Sequence, residues 1–251
     1  MRILVVNPNT SARMTLDIAR AARQGAQPDT EILCLNPEHG PDTIEGYADE
    51  AIAAYHTVDL LAGERSGYDG YVIACFGDPA VAACRELVAA PVVGIAEASF
   101  HMACAIAHRW SVLTLLPRLK PVLEDLLLRY GVERRCASVR AVTLGVAAAA
   151  EDYERTAELL LPEARRAIAE DGAETILLGC AGLGPVAAPL SGALGVPVLD
   201  GVSCAVGLVE ALVARGLSTS KANAYAAPER GPLVGASTNL QAAYAAGSED
   251  S

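Results

Sequence analysis

Val72-Ile73-Ala74-Cys75-Phe76-Gly77-Asp78-Pro79 and Leu177-Leu178-Gly179-Cys180-Ala181-Gly182-Leu183-Gly184-Pro185 are two versions of one unit. Each is an apolar run, a small residue, a cysteine and a glycine-containing turn. Each then leads through a helical stretch to an apolar run headed by proline: Ala90-Pro91-Val92-Val93-Gly94-Ile95 in the first copy, Val196-Pro197-Val198-Leu199-Asp200-Gly201 in the second. Cysteine to proline is 16 residues in the first (75 to 91) and 17 in the second (180 to 197). Short apolar runs without polar alternation are strands buried on both faces, the kind that parallel sheets use. Two α/β lobes with matching cysteines at strand ends are therefore expected. Ligands of open parallel sheets sit beyond the carboxyl ends of the strands, so two facing lobes would share both thiols across one cleft.

The same rhythm extends outward in both directions. Ile3-Leu4-Val5-Val6 stops at Asn7-Pro8-Asn9-Thr10-Ser11, and Met14, Ile18, Ala21 and Ala22 then recur as on a helix. Further strands are expected at Glu31–Leu35, Tyr71–Ala74, Val92–Ile95, Ser111–Leu116, Val139–Leu144, Thr175–Leu178 and Val196–Leu199. Helical stretches lie between them, at Tyr47–Leu61, Pro79–Leu87, Ala98–His108, Leu119–Tyr130 and Tyr153–Glu170, and one follows from Val202 to Ala214. Alternation of short strands with longer helices predicts an α/β fold, two pseudo-symmetric lobes of mostly parallel sheet flanked by helices. From Thr219 the chain is rich in Ala, Gly, Ser and Pro, which predicts loops, short helical turns and a loose tail at Gly247–Ser251.

Composition bounds the function. With 251 residues, 52% of them hydrophobic, the chain can bury a sizeable core. Thirty acidic against 19 basic residues give a net charge of −11, which repels phosphate backbones and argues against a nucleic-acid partner. No run reaches the roughly 20 apolar residues of a membrane helix, and Met1–Val6 reads as a first strand rather than a signal peptide. Seven cysteines without a CxxC pair point to free thiols in a reducing, cytoplasmic compartment. His101 and His108 lie seven apart, and four scattered histidines do not make a metal site.

The glycines of the two cysteine turns let backbone N–H groups approach a ligand, which makes Phe76, Gly77, Asp78, Ala181 and Gly182 candidate substrate-binding residues. The start of a helix also lowers a thiol's pKa, so Cys75 and Cys180 are expected to be activated. Asn7 and Asn9 follow the first strand, where a polar side chain faces the cleft or shapes the turn. Thr114, near a strand end, is a further candidate ligand. Glu97 and Asp200 end paired strands and read as helix caps. Cys34, Cys84, Cys104, Cys136 and Cys204 have no symmetric mate and read as structural.

Taken in order, these segments resemble the hydantoin/allantoin racemase branch of the aspartate/glutamate racemase superfamily. Asn7-Pro8-Asn9-Thr10-Ser11, Ile44-Glu45-Gly46, Val72 to Pro79, Pro91 to Ala98, Leu178 to Gly182 and Pro197 to Gly201 carry the resemblance, up to about Pro228. It implies catalytic cysteines at Cys75 and Cys180, neither pyridoxal phosphate nor metal, and a homo-oligomer acting on a small molecule. It also implies lobes of 1–96 plus 207–251 and 97–206, because the last stretch returns to the first lobe. The chemistry expected is proton transfer at a ring carbon next to a carbonyl, one thiolate taking a proton while the opposite thiol gives one. Aliphatic Leu115, Leu116 and Leu183 favour an apolar substituent on that carbon. The rivals are allantoin racemisation, an amino-acid racemase, a maleate-type isomerase or a decarboxylase, and outside the superfamily a binding protein without turnover. A dinucleotide-binding dehydrogenase is disfavoured, because no GxGxxG follows the first strand.

Overall fold

The apolar runs pair side by side as parallel strands. The computed structural model describes residues 1–229, 231 and 233–246. The expected tail at Gly247–Ser251 lies outside the described residues. The first half holds β1 (Arg2–Val6), α1 (Ala12–Gly25), β2 (Glu31–Leu35), α2 (Tyr47–Gly63), β3 (Gly70–Ile73), α3 (Val81–Leu87), β4 (Val92–Gly94) and α4 (Ile95–Ile106). The second holds β5 (Trp110–Thr114), α5 (Lys120–Arg129), β6 (Cys136–Ala141), α6 (Val146–Glu151), α7 (Tyr153–Asp171), β7 (Thr175–Leu178), α8 (Gly184–Leu194), β8 (Val198–Asp200) and α9 (Gly201–Ala214), before a last helix α10 (Thr238–Ala246).

The strand orders are β2-β1-β3-β4 and β6-β5-β7-β8, so the second sheet repeats the first position by position. Every pairing between these strands is parallel. In both sheets the order reverses beside the first strand, which opens a crevice between β1 and β3 and another between β5 and β7. One hydrophobic core runs through both halves and includes Ile3, Val72, Phe100, Trp110, Val112 and Leu177. Phe100 stacks on Trp110 with ring centroids 5.1 Å apart.

The helices that follow the last strands cross between the sheets. α4 leaves β4 and also packs on β7 and β8, while α9 leaves β8 and packs on β3, β4, α1 and α4. Lobe limits at 96/97 and 206/207 therefore fall inside α4 and α9. Three local readings differ from the sequence. β6 lies at Cys136–Ala141, not Val139–Leu144, because an edge strand tolerates polar residues: Arg140 there reaches Asp171 at 2.6 Å. α6 was not expected, since its N-cap Gly145 has no side-chain acceptor; Glu45 supplies one from the other half, accepting from the Val146 N–H at 3.0 Å. The region expected as loops and short helical turns contains the nine-residue α10, which buries Leu240 and Ala243 against Ala62 of α2.

Candidate active site

Both crevices open onto one cavity of about 640 Å³, its solvent-facing mouth included. Cys75 reaches it from the turn after β3 and Cys180 from the turn after β7, with Asn9 following β1 and Thr114 closing β5. Of the ten residues singled out in the sequence, Cys75, Cys180, Asn9, Phe76, Gly77, Thr114 and Ala181 line the cavity. Asn7, Asp78 and Gly182 do not.

Those three support the lining from behind. Asn7 is buried, and its amide N–H groups reach Asn9 Oδ1 at 2.8 Å and Thr15 Oγ1 at 3.0 Å. The Ser11 backbone N–H, at 2.9 Å, also donates to Asn9 Oδ1. With its oxygen so occupied, Asn9 turns its NH₂ toward Met14, 3.1 Å away, and Met14 also lines the cavity. Asp78 is fully buried in the left-handed region, at φ 48°. Its carboxyl accepts the N–H groups of Ala96 (3.0 Å) and Glu97 (2.8 Å) at the start of α4, and the Tyr130 hydroxyl (2.9 Å) from the second half. Glu97 is thus not the cap of α4; it pairs with Arg85 at 2.6 Å. Asp200 does cap α9. Gly182 lies in a 3₁₀ turn, Ala181–Leu183, directly after Cys180.

Burial overrides the expected activation of the thiols. It pushes Cys75 up to about 12, helped by the nearby charges of Glu50 and Asp78 and by Cys180, while the Gly77 N–H pulls the other way. Cys180 is pushed up to about 11 by burial, against the pull of the Gly182 N–H. The glycine two residues beyond each cysteine therefore has the same effect in both halves. Asp78 is also raised by burial, to about 7, against the pull of its three donors.

The sequence did not single out Glu50, which lines the cavity from the first turn of α2. Burial raises its carboxyl above the ordinary range, with Arg129 opposing. Only the Ile44-Glu45-Gly46 segment just before it carried a signal; Ile44 and Gly46 line the cavity too. Leu119, Val122, Leu123 and Val146 add an apolar wall from the second half. Of the three leucines expected to shape the substituent pocket, Leu115 lines the cavity and Leu116 and Leu183 do not. Phe76 both lines it and packs edge-on against Phe100, centroids 5.7 Å apart. Among the described residues no helix is long and apolar enough to cross a membrane.

Comparison with known proteins meets this geometry. Residues 3–209 match the family described as Asp/Glu/Hydantoin racemase. A hydantoin racemase of Pseudomonas sp. (strain NS671) is 45% identical over 96% of this chain and 97% of its own. One from Paenarthrobacter aurescens is 46% identical over 91% of this chain and 98% of its own. The solved allantoin racemase from Klebsiella pneumoniae superposes with a TM-score of 0.91 at 47% identity, covering 97% of this chain and 98% of that one. Two like-built parallel sheets with a cysteine turn on each, matched over nearly the whole chain, make this protein a member of the Asp/Glu/hydantoin racemase family.

Proposed function

We propose that this protein is a racemase of 5-substituted hydantoins that works with its own two thiols as acid and base. The observation that carries the reading is that Cys75 and Cys180 line one cavity from equivalent turns of the two sheets. A thiolate on one side takes the proton from ring carbon C5, and the C–H electron pair moves into the adjacent carbonyl as an enolate. The thiol on the other side then gives its proton to C5 from the opposite face. The first thiolate ends protonated and the second ends as thiolate, so charge and protons balance. Two opposed groups need not move, whereas a single base would have to cross the ring plane.

Asn9 is a ready donor to the developing oxyanion, because Asn7 and Ser11 hold its oxygen away from the cavity. The character of the lining favours a neutral ring over the carboxylate substrates of amino-acid racemases, isomerases or decarboxylases. Among the described lining residues no Lys, Arg or His offers a countercharge, and Glu50 would repel a carboxylate. Allantoin, a hydantoin with a ureido group on C5, satisfies the same argument.

The test is the circular-dichroism decay of single enantiomers of 5-alkyl hydantoins and of allantoin with the purified protein in reducing buffer. Loss of optical signal without loss of compound is expected; no decay with any of them overturns the reading. The seven free cysteines suit a reducing cytoplasm. Assembly into a homo-oligomer, which the family resemblance implies, is checked by light scattering of the purified protein.

A further inference from the structure

Apart from the two thiols, Glu50 is the one ionisable side chain among the described residues that line the cavity. It stands in an otherwise apolar surround that includes Ile44, Phe76, Leu115 and Leu119. Its carboxylate lies beside the Cys75 turn: a Cβ placed on Gly77 would sit 3.3 Å from Glu50 Oε2. Among the described residues no side chain donates a hydrogen bond to it or pairs with it, and Arg129 acts on it only through its field. The carboxylates around it are spoken for. Glu45 holds the start of α6, Asp49 accepts the Glu45 N–H at 3.0 Å, and Asp78 caps α4. A partly buried acceptor without a partner leaves the favourable hydrogen bonds to whatever enters the cavity.

Resting on the racemase reading above, we infer that Glu50 is a specificity-determining residue that accepts hydrogen bonds from N–H groups attached to C5. Every 5-substituted hydantoin carries one such donor, the ring N–H next to C5. A 5-ureido substituent adds a second on the same carbon. Two N–H groups on one carbon are spaced much as the two oxygens of a carboxylate are, so a ureido hydantoin offers a paired contact where an alkyl hydantoin offers a single one. Glu50 therefore tilts this cavity toward ureido-substituted rings despite its apolar walls.

The experiment compares kcat/KM for allantoin and for 5-isobutylhydantoin in the wild type, Glu50→Gln and Glu50→Asp, with thermal melting of each protein. Gln keeps size and one acceptor but turns an NH₂ toward the second donor. Loss of a charged hydrogen bond predicts a fall of about tenfold to a hundredfold with allantoin and only about threefold with the alkyl compound. The allantoin-to-alkyl ratio should drop at least about tenfold in Glu50→Gln and by less in Glu50→Asp, which retains the charge. If Glu50→Gln does not fold, Glu50→Asp alone must lower the ratio. An unchanged ratio overturns the assignment, as does a wild type that racemises alkyl hydantoins but not allantoin. A wild type inert on both compounds instead sinks the racemase reading itself.

Discussion

The turn after β3 and the turn after β7 each present a thiol to the same cavity, yet the chain holds them by different means. After β7, Cys180 runs straight into a 3₁₀ turn and the eleven-residue α8. After β3, Cys75 enters a turn with two residues in the left-handed region, Asp78 at φ 48° and Ala80 at φ 63°, before the seven-residue α3 begins at Val81. Non-glycine residues there store strain, which persists only where surrounding contacts impose it.

The contacts that impose it come from an exchange of one carboxyl between two positions. α9 is capped by its own N-cap Asp200, which accepts from the N–H groups of Val202 (3.2 Å) and Ser203 (3.0 Å). α4 has Gly94 at that position and no side chain of its own to cap it. Asp78 takes over, accepting from the equivalent N–H groups of Ala96 and Glu97. A Cβ on Gly94 would lie 2.2 Å from the Asp78 carboxyl carbon, so Gly94 is the vacancy into which Asp78 fits. In the second half the residue at the place of Asp78 is Leu183, buried and apolar. The same helix N-terminus is thus satisfied twice, but only in the first half does the cap also tie down a cysteine turn.

If the thiols are equal partners despite this, Cys75→Ala and Cys180→Ala should each lower racemisation by at least about a thousandfold, as removal of an essential general acid or base does. Optical decay of both enantiomers measures it. A surviving rate in one variant would make the two turns unequal in chemistry as well as in support. Next in size is the effect of pH. Burial holds both thiols far above neutrality, to about 12 for Cys75 and about 11 for Cys180. An acid raised in this way is mostly protonated at pH 7, and its ionised fraction grows about tenfold per pH unit until its pKa is approached. Between pH 7 and 9, kcat/KM should therefore rise about a hundredfold for both enantiomers. A plateau below pH 8 would mean that one turn activates its thiol more than its burial suggests.

What the sequence makes legible follows from the same comparison. The echo of Cys75-Phe76-Gly77 and Cys180-Ala181-Gly182 is local, because strand, turn and acting N–H all fall within a few covalently joined residues. Strand runs buried on both faces are equally local, and the α/β architecture followed from them. The cap exchange was not legible: Asp78 and Ala96 are 18 residues apart, and only the pairing of β3 with β4 brings them together. Capping of α4 was assigned to Glu97 because it was read as the end of a paired strand, whereas it lies inside the first turn of α4 as the partner of Arg85. Glu50 was hidden for a similar reason. A carboxylate in a first helical turn reads as a cap or a solvated face until the fold lays α2 over the cavity. The thiol acidity was misjudged because the turn's N–H groups can be read from sequence while the depth of burial cannot.

The caps supply the third test. Asp200→Ala removes an N-cap and should cost about 0.5–2 kcal/mol of stability, with kcat/KM near that of the wild type. Asp78→Ala removes a cap of the same kind but also releases the Cys75 turn, so a comparable loss of stability should come with a fall of about tenfold or more in kcat. Denaturant melts and racemisation rates on the two variants separate the effects. Asp78→Asn should recover part of the activity, since Asn also tolerates the left-handed region. Equal catalytic loss in the two alanine variants would show that helix capping, not support of the thiol, is what both carboxyls provide.

The smallest effect concerns the third donor to each cap. Asp200 receives it from within its own helix, Ser203 Oγ at 2.6 Å, whereas Asp78 receives it from the other half, the Tyr130 hydroxyl at the end of α5. Tyr130 also packs edge-on against Phe100, with centroids 6.1 Å apart, so Tyr130→Phe deletes one hydroxyl and leaves the ring contacts in place. Each deletion, Tyr130→Phe or Ser203→Ala, should cost about 0.5–1.5 kcal/mol, as single hydrogen bonds do. The consequences then diverge. Loss of the hydroxyl removes a donor that favours the charged form of Asp78, so its proton affinity, already raised by burial to about 7, rises further. It also cuts a tie between the halves that carry the two thiols, so kcat should fall about twofold to fivefold in Tyr130→Phe and stay near the wild-type value in Ser203→Ala. Matched kcat values in the two variants would show that the bond between the two halves contributes to stability alone, and that the Cys75 turn is held entirely by its hold on α4.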